Sequence, residues 1–348
     1  MPGVTLSTLP DYARHLLAVA EAASAHYPVR QIVRLPGLEM EAHLCPGTLA
    51  DALGHAIVNA TADRPAPPVC RIFIAHPGIP GIPVPAKWGD TQFTEHGFAG
   101  RLAEAGLRGH FFHDLDFWQC YDPQRRLGVQ LMISHDAFPP WEPGAPLRPF
   151  LHWEYAARGL RLAHAGTLGL GGKGILLAGR GGAGKSGTVV AGLLNGLDSV
   201  GDDYVLIDLE GGVTAYPLFS TLKQDPAGFR RLGLDRKLKS HGPLNWQGKH
   251  QFHVSDITHR PVPGNLDITA LMVPQLNGGE ASSIMPVSRS NAMIALAASG
   301  IAQMPGERES GFRFFSELTR RLPCYRLSLG TRPEEIAGSI ADFLGGAA

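Results

Sequence analysis

One octapeptide restricts the fold of this chain more than any other feature. Gly179-Arg-Gly-Gly-Ala-Gly-Lys185-Ser186 fills every fixed position of the pattern GxxxxGK[ST]. Its glycines let the backbone take φ > 0 and approach an anion closely, so that successive N–H groups can curl around a phosphate. The apolar run Ile175-Leu176-Leu177-Ala178 leads in as a strand. A helix predicted over 185–195, bearing Val189, Val190, Leu193 and Leu194, leads out and is closed by Gly196. Strand, glycine loop and helix in that order demand an α/β domain, with the anion delivered to a helix N-terminus. The predicted phosphate cradle is Gly179, Gly181, Gly182, Ala183, Gly184, Lys185, Ser186 and Gly187. Lys185 would reach the β- and γ-phosphates of a nucleotide, and the Ser186 hydroxyl would ligate Mg²⁺. Gly187 and Gly192 each weaken the helix by about 1 kcal/mol relative to Ala. Close packing against the sheet is the expected reason for both.

Two further elements frame the loop. Gly201-Asp202-Asp203-Tyr204 opens the apolar strand Val205-Leu206-Ile207, far enough after Lys185 for a helix, a turn and a return strand. Two adjacent carboxylates can divide labour, one holding Mg²⁺ and the other accepting a proton from an attacking hydroxyl. The alternative is a polar turn in which the pair merely caps a strand. His164 lies in a strand predicted over 160–170; paired with the loop's own strand, it would face the phosphate end. The competing reading is an ordinary packed histidine.

The rest of the chain supplies limits. Lys plus Arg equals Asp plus Glu at 31 each, which argues against a dedicated binder of nucleic acid or acidic membrane. No apolar run is long enough to span a bilayer, and no basic stretch with an apolar run opens the chain; a soluble cytoplasmic protein is expected. The four cysteines have no paired spacing and read as reduced thiols. A helix is predicted after Pro10 with Asp11 as its N-cap, then strands over 29–35, 38–44 and 70–75, and a hairpin of 117–121 with 127–134. Prolines 139, 140, 143, 146 and 149 mark the expected boundary between a mixed α/β N-terminal domain, 1–145, and a P-loop domain, 150–348. The domain after it carries the helix of 150–158 and ends in a helix over 333–344.

The stretches His164-Ala-Gly-Thr-Leu-Gly, Gly174 to Ser186 and Gly201-Asp-Asp-Tyr-Val-Leu206 resemble the HPr kinase/phosphorylase-like proteins, which share their P-loop core with phosphoenolpyruvate carboxykinase. The resemblance covers about 150–210. It implies an α/β P-loop kinase core that uses ATP and Mg²⁺, with Lys185, His164 and Asp202 catalytic. Asp202 would be the base, while Asp203 would join Ser186 on the metal side. The chain lacks the Gly-rich segment by which HPr kinases recognise HPr, and 241–260 is instead rich in His, Trp and Asn. It looks more like the divergent branch of peptide-tailoring kinases, including those acting on lasso-peptide precursors. That implies a Ser hydroxyl on a peptide or protein as acceptor, with the N-terminal domain a candidate for recognising it. Self-association is left open.

Other candidates are weaker. His110 with His113 and His250 with His253 would not converge on a metal if each pair lies on a strand. Lys223, Arg230, Arg231 and Arg289 could each neutralise charge on a transferred phosphoryl group, Lys223 first among them. Trp88 and the histidines and Trp246 of 241–260 are candidate contact surface for an acceptor. Two other functions remain: a small-metabolite kinase, and a binding module switched by ATP with slow hydrolysis.

Overall fold

The computed structural model describes residues 8–60, 69–86, 95–238, 242–300 and 308–346. It divides into two compact units, Met1–Gly54 with Asn59–Arg158, and His55–Val58 with Gly159–Ala348. Both are α/β with mixed sheets.

The first unit runs α1 (Leu9–Ala22), β1 (Val29–Leu35), β2 (Leu38–Leu44), α2 (Thr48–Ala56), β3 (Val69–Ala75), α3 (Glu95–Glu104), β4 (Arg108–Phe112), β5 (Phe117–Asp122), β6 (Leu127–Leu131) and α4 (Arg148–Ala156). Its six-stranded sheet has the order β1-β2-β3-β6-β5-β4, with β2, β3 and β6 parallel and the other pairings antiparallel. Helix α1 buries Leu9, Tyr12, Ala13, Leu16, Leu17 and Ala20 against Phe73, Trp118, Val129 and Leu131. That stripe has the helical period. Thr8, not Asp11, caps α1: its hydroxyl accepts from the Asp11 N–H, which places Asp11 in the first turn.

The division falls after Arg158 and not within the proline-rich stretch, and α4 belongs to the first unit. The prolines are compatible with packing. Pro149 stands in the first turn of α4, where its missing N–H costs nothing, and Ala145, Leu147 and Phe150 are buried. Buried Glu142 locks this turn by accepting the Leu147 N–H at 2.8 Å. Burial, partly offset by that bond, pushes its carboxyl from 4.5 up to about 7. A carboxyl whose folded pKa is raised contributes stability that is full below 4.5 and is lost as pH rises through about 7. The gap corresponds to about 3 kcal/mol. Glu142→Gln should therefore flatten this dependence and raise the melting temperature at pH 8 relative to the parent. Melts of both proteins at pH 5, 6.5 and 8 test this; a variant less stable at pH 8 would refute it.

The second unit runs β7 (Arg161–Ala163), β8 (Gly166–Leu170), β9 (Lys173–Leu177), α5 (Lys185–Leu194), β10 (Val205–Asp208), β11 (Thr214–Tyr216), β12 (Thr221–Gln224), α6 (Pro226–Arg231), α7 (Leu234–Lys237), β13 (His250–His253), α8 (Val254–Ile257), β14 (Leu266–Leu276), β15 (Ser283–Pro286), α9 (Arg289–Gly300), α10 (Arg308–Arg321), β16 (Cys324–Leu329) and α11 (Pro333–Gly346). β9, β14 and β16 are parallel neighbours. One face of this sheet packs on α5 and α11 through Val189, Val190, Ile336 and Ile340. The other packs on α9 and α10 through Leu296, Phe315 and Leu318. Helices on both faces explain why β9 and β10 read as unbroken apolar runs.

The strand expected over 160–170 is two strands. β7 pairs antiparallel with β10, Ala163 opposite Val205, whereas β8 pairs antiparallel with β9, Gly166 opposite Leu177. The break at His164–Ala165 therefore sits where β9 ends and β10 begins. Close packing accounts for Gly192, where a Cβ would stand 2.4 Å from Leu168 Cδ2, but not for Gly187. Leu168 is fully buried and has little room to yield. Gly192→Ala should thus destabilise by about 1–3 kcal/mol despite the better helix propensity of Ala. Urea unfolding would show this, and a stabilised variant would mean that Leu168 moves aside.

Candidate functional site

The strand pairing gathers three separate segments at one end of the sheet: the glycine loop after β9, the Asp pair before β10, and His164 at the break. Gly184 ends the loop at φ 101°, a left-handed conformation that favours glycine, and a Cβ there would stand 2.5 Å from Leu329. Lys185 opens α5 at 7% exposure, its ammonium donating to the Gly179 carbonyl at 2.5 Å and the Arg180 carbonyl at 3.4 Å. Burial lowers its pKa, Asp202 and Asp203 pull it back up, and Lys249 adds to the lowering.

A hydroxyl knot aims the Asp pair. Thr167 Oγ1 on β8 accepts the Val200 N–H at 3.0 Å and meets Ser199 Oγ at 3.1 Å, while Thr167 N–H donates to the Gly201 carbonyl at 3.0 Å. Ser199 Oγ in turn accepts the Gly201 N–H at 3.1 Å. These buried bonds fix the turn from which Asp202 and Asp203 project in different directions.

Asp202 is 2% exposed, and the Ser186 hydroxyl beside it acts to lower its pKa. Among the described residues nothing hydrogen-bonds its Oδ1, which is buried close to Gly166, where a Cβ would stand 3.0 Å from it. Burial, then the neighbouring Asp203 charge, raise its pKa. Asp203 sits at φ 74° with 29% of its side chain exposed. His164 Nε2 stands 2.8 Å from its Oδ1, and Lys223 Nζ on β12 donates to its Oδ2 at 2.7 Å. Burial acts to raise the Asp203 pKa. The His164 hydrogen bond and the Lys223 charge outweigh it and hold the group well below the usual carboxylate range. The His164 ring stacks on Tyr204, centroids 5.2 Å apart.

Asp203, expected on the metal side, meets His164 and Lys223, and Asp202, expected as base, lies buried beside Ser186. The donor set around Asp202 suits Mg²⁺: a buried carboxylate with one orphaned oxygen and the neighbouring Ser186 hydroxyl, both hard ligands. An orphaned buried carboxylate oxygen is costly unless a cation or water meets it.

Lys223, the first of the candidate cations, pairs with Asp203. Arg231, on α6, reaches the flank of α5 at Gly187; it is exposed, as is Arg230, and Arg289 opens α9 near Cys324. His250 and His253 lie on strand β13 and part company: His250 stacks on Phe229, and His253 Nδ1 meets Ser220 Oγ at 3.0 Å. Trp88 and His241 fall outside the described residues, and so does the side chain of His113. Thr167, Ser199 and Lys249 were not anticipated; a Thr in a strand and a Lys in a polar turn carry no sequence signal of their own.

No family model matches the sequence, and no curated protein matches it. A solved structure similar to this chain is the Hpr(Ser) kinase/phosphatase from Coxiella burnetii. It shares 12% identity at a TM-score of 0.30 over 54% of this chain and 98% of that one. Among the described residues no helix is long and apolar enough to cross a membrane.

Proposed function

We propose that the chain is an ATP- and Mg²⁺-dependent kinase that transfers the γ-phosphoryl group to a serine hydroxyl of a peptide or protein. A ribosomal peptide precursor is the leading acceptor class. The observation that carries this reading is the buried Asp202 carboxylate, one oxygen of it orphaned, beside Ser186 and Lys185 at the end of a glycine loop that feeds a helix N-terminus. Such a loop cradles the triphosphate with backbone N–H groups, and Lys185 draws charge from its terminal phosphates. Ser186 and Asp202 would hold Mg²⁺, which offsets negative charge on the phosphates. Asp203, the more exposed carboxylate, orients the acceptor hydroxyl and receives its proton. His164 and Lys223 fix that carboxylate and balance the charge around it. A carboxylate of low pKa suits a loose transition state, in which the hydroxyl proton leaves late.

Phosphoryl transfer from γ-labelled ATP into a size-fractionated lysate tests the proposal. Phosphoserine in a peptide or protein fraction supports it. Label confined to small molecules would replace it with a metabolite kinase, and label confined to free phosphate with an ATP-switched binding module.

A further inference from the structure

Helix α5 carries a glycine in its first turn that packing against the sheet does not explain. A Cβ on Gly187 would meet only Arg231 Nη2 at 3.6 Å and Gln224 Nε2 at 3.9 Å. The guanidinium of Arg231 thus lies at the flank of this turn, within ordinary contact of where a side chain would begin.

Arg231 is exposed, and the short helix that carries it is fixed in place. Asp225 caps α6 by accepting the Ala227 and Gly228 N–H groups at 3.0 and 2.9 Å. Phe229, 1% exposed, anchors the helix by stacking on His250 with centroids 4.0 Å apart. Gln224 is 4% exposed and lies between the two glycines 187 and 228. The last turn of α6 therefore presents Arg231 to the first turn of α5, while β12, immediately before it, presents Lys223 to Asp203. One short segment thus sets a cation at each of two places around the loop. Among the described residues no hydrogen bond or ion pair joins Arg231 to Lys185, Asp202 or Asp203.

We propose that Arg231 binds the nucleotide, its guanidinium taking α- and β-phosphate oxygens where they meet the first-turn N–H groups of α5. This rests on the nucleotide reading given above. A planar donor fork suits phosphate oxygens, and a helix N-terminus already favours their charge. The role is in binding and not in the transfer step.

The test is titration of the full chain with the fluorescent analogues mant-ATP and mant-ADP in the presence of Mg²⁺. Arg231→Ala should weaken both by about tenfold or more, as expected for a charge-assisted hydrogen bond to phosphate. Arg231→Lys should recover part of the loss. Arg230→Ala, which removes the same charge from the same short helix, should bind as the parent does. Parent-like binding by Arg231→Ala would overturn the proposal, as would an equal loss in Arg230→Ala, which would reveal only a diffuse field. A loss for mant-ATP without one for mant-ADP would overturn it too, by moving Arg231 to the γ-phosphate. In each of those cases the parent still binds nucleotide and the kinase reading stands. Failure of the parent itself to bind mant-ATP would remove both.

Discussion

Lys185→Ala should reduce phosphoryl transfer by at least 10³-fold while leaving the fold in place. The ammonium lies at 7% exposure between loop carbonyls and two carboxylates. It is the only cation on the loop's own helix turn, so its removal leaves Asp202 and the incoming phosphates without that compensating charge. Loss of a preorganised charge in a shielded site typically costs several kcal/mol of transition-state stabilisation, and 10³ corresponds to about 4. Alanine is a good helix former at this position, so no comparable loss of stability should accompany it. Lys185→Arg should not restore the rate, because a rigid fork does not fit a slot that ends on the Gly179 carbonyl. Initial rates of ADP release with thermal melts on the same samples settle the matter. A variant that keeps a tenth of the parent rate would sink the proposed role.

What was legible in the sequence was local. The octapeptide, its entry strand and its exit helix follow from periodicity and glycine spacing within some twenty residues, and they stand within a residue or two of the expected positions. The Asp pair was visible because it abuts an apolar strand. The break at His164 was not, because 160–170 has the composition of one strand. Only pairing with two different partners, β10 and β9, divides it. The proline-rich stretch misplaced the boundary for a related reason: breakers show where a helix cannot continue, and whether the turn is buried depends on Glu142 and Leu147 finding each other. Lys223 reaches Asp203 across twenty residues of chain through the β12–β13 ribbon, which no local window reports. The same holds for the roles within the Asp pair, which only their partners distinguish.

Those partners predict that the two carboxylates fail differently. Asp202→Asn keeps the shape but removes the charge beside Ser186, so Mg²⁺-dependent nucleotide binding should weaken and transfer should fall by about 10³-fold. Excess Mg²⁺ should recover part of the loss. Asp203→Asn should leave nucleotide affinity within about twofold of the parent and lower the transfer rate by 10²–10⁴-fold, the range of general-base contributions. Asn is the informative replacement at 203 because it tolerates the left-handed backbone found there, at φ 74°. An Ala variant would add strain to the lost charge. Because Lys223 and His164 both lean on Asp203, Lys223→Ala should resemble Asp203→Asn more than Asp202→Asn, with its defect in the rate and not in nucleotide affinity. The comparison needs rate and affinity measured separately, with ATP and Mg²⁺ varied independently. If Asp202→Asn bound nucleotide normally and Asp203→Asn lost Mg²⁺ dependence, the original order would hold: Asp202 as base and Asp203 on the metal side.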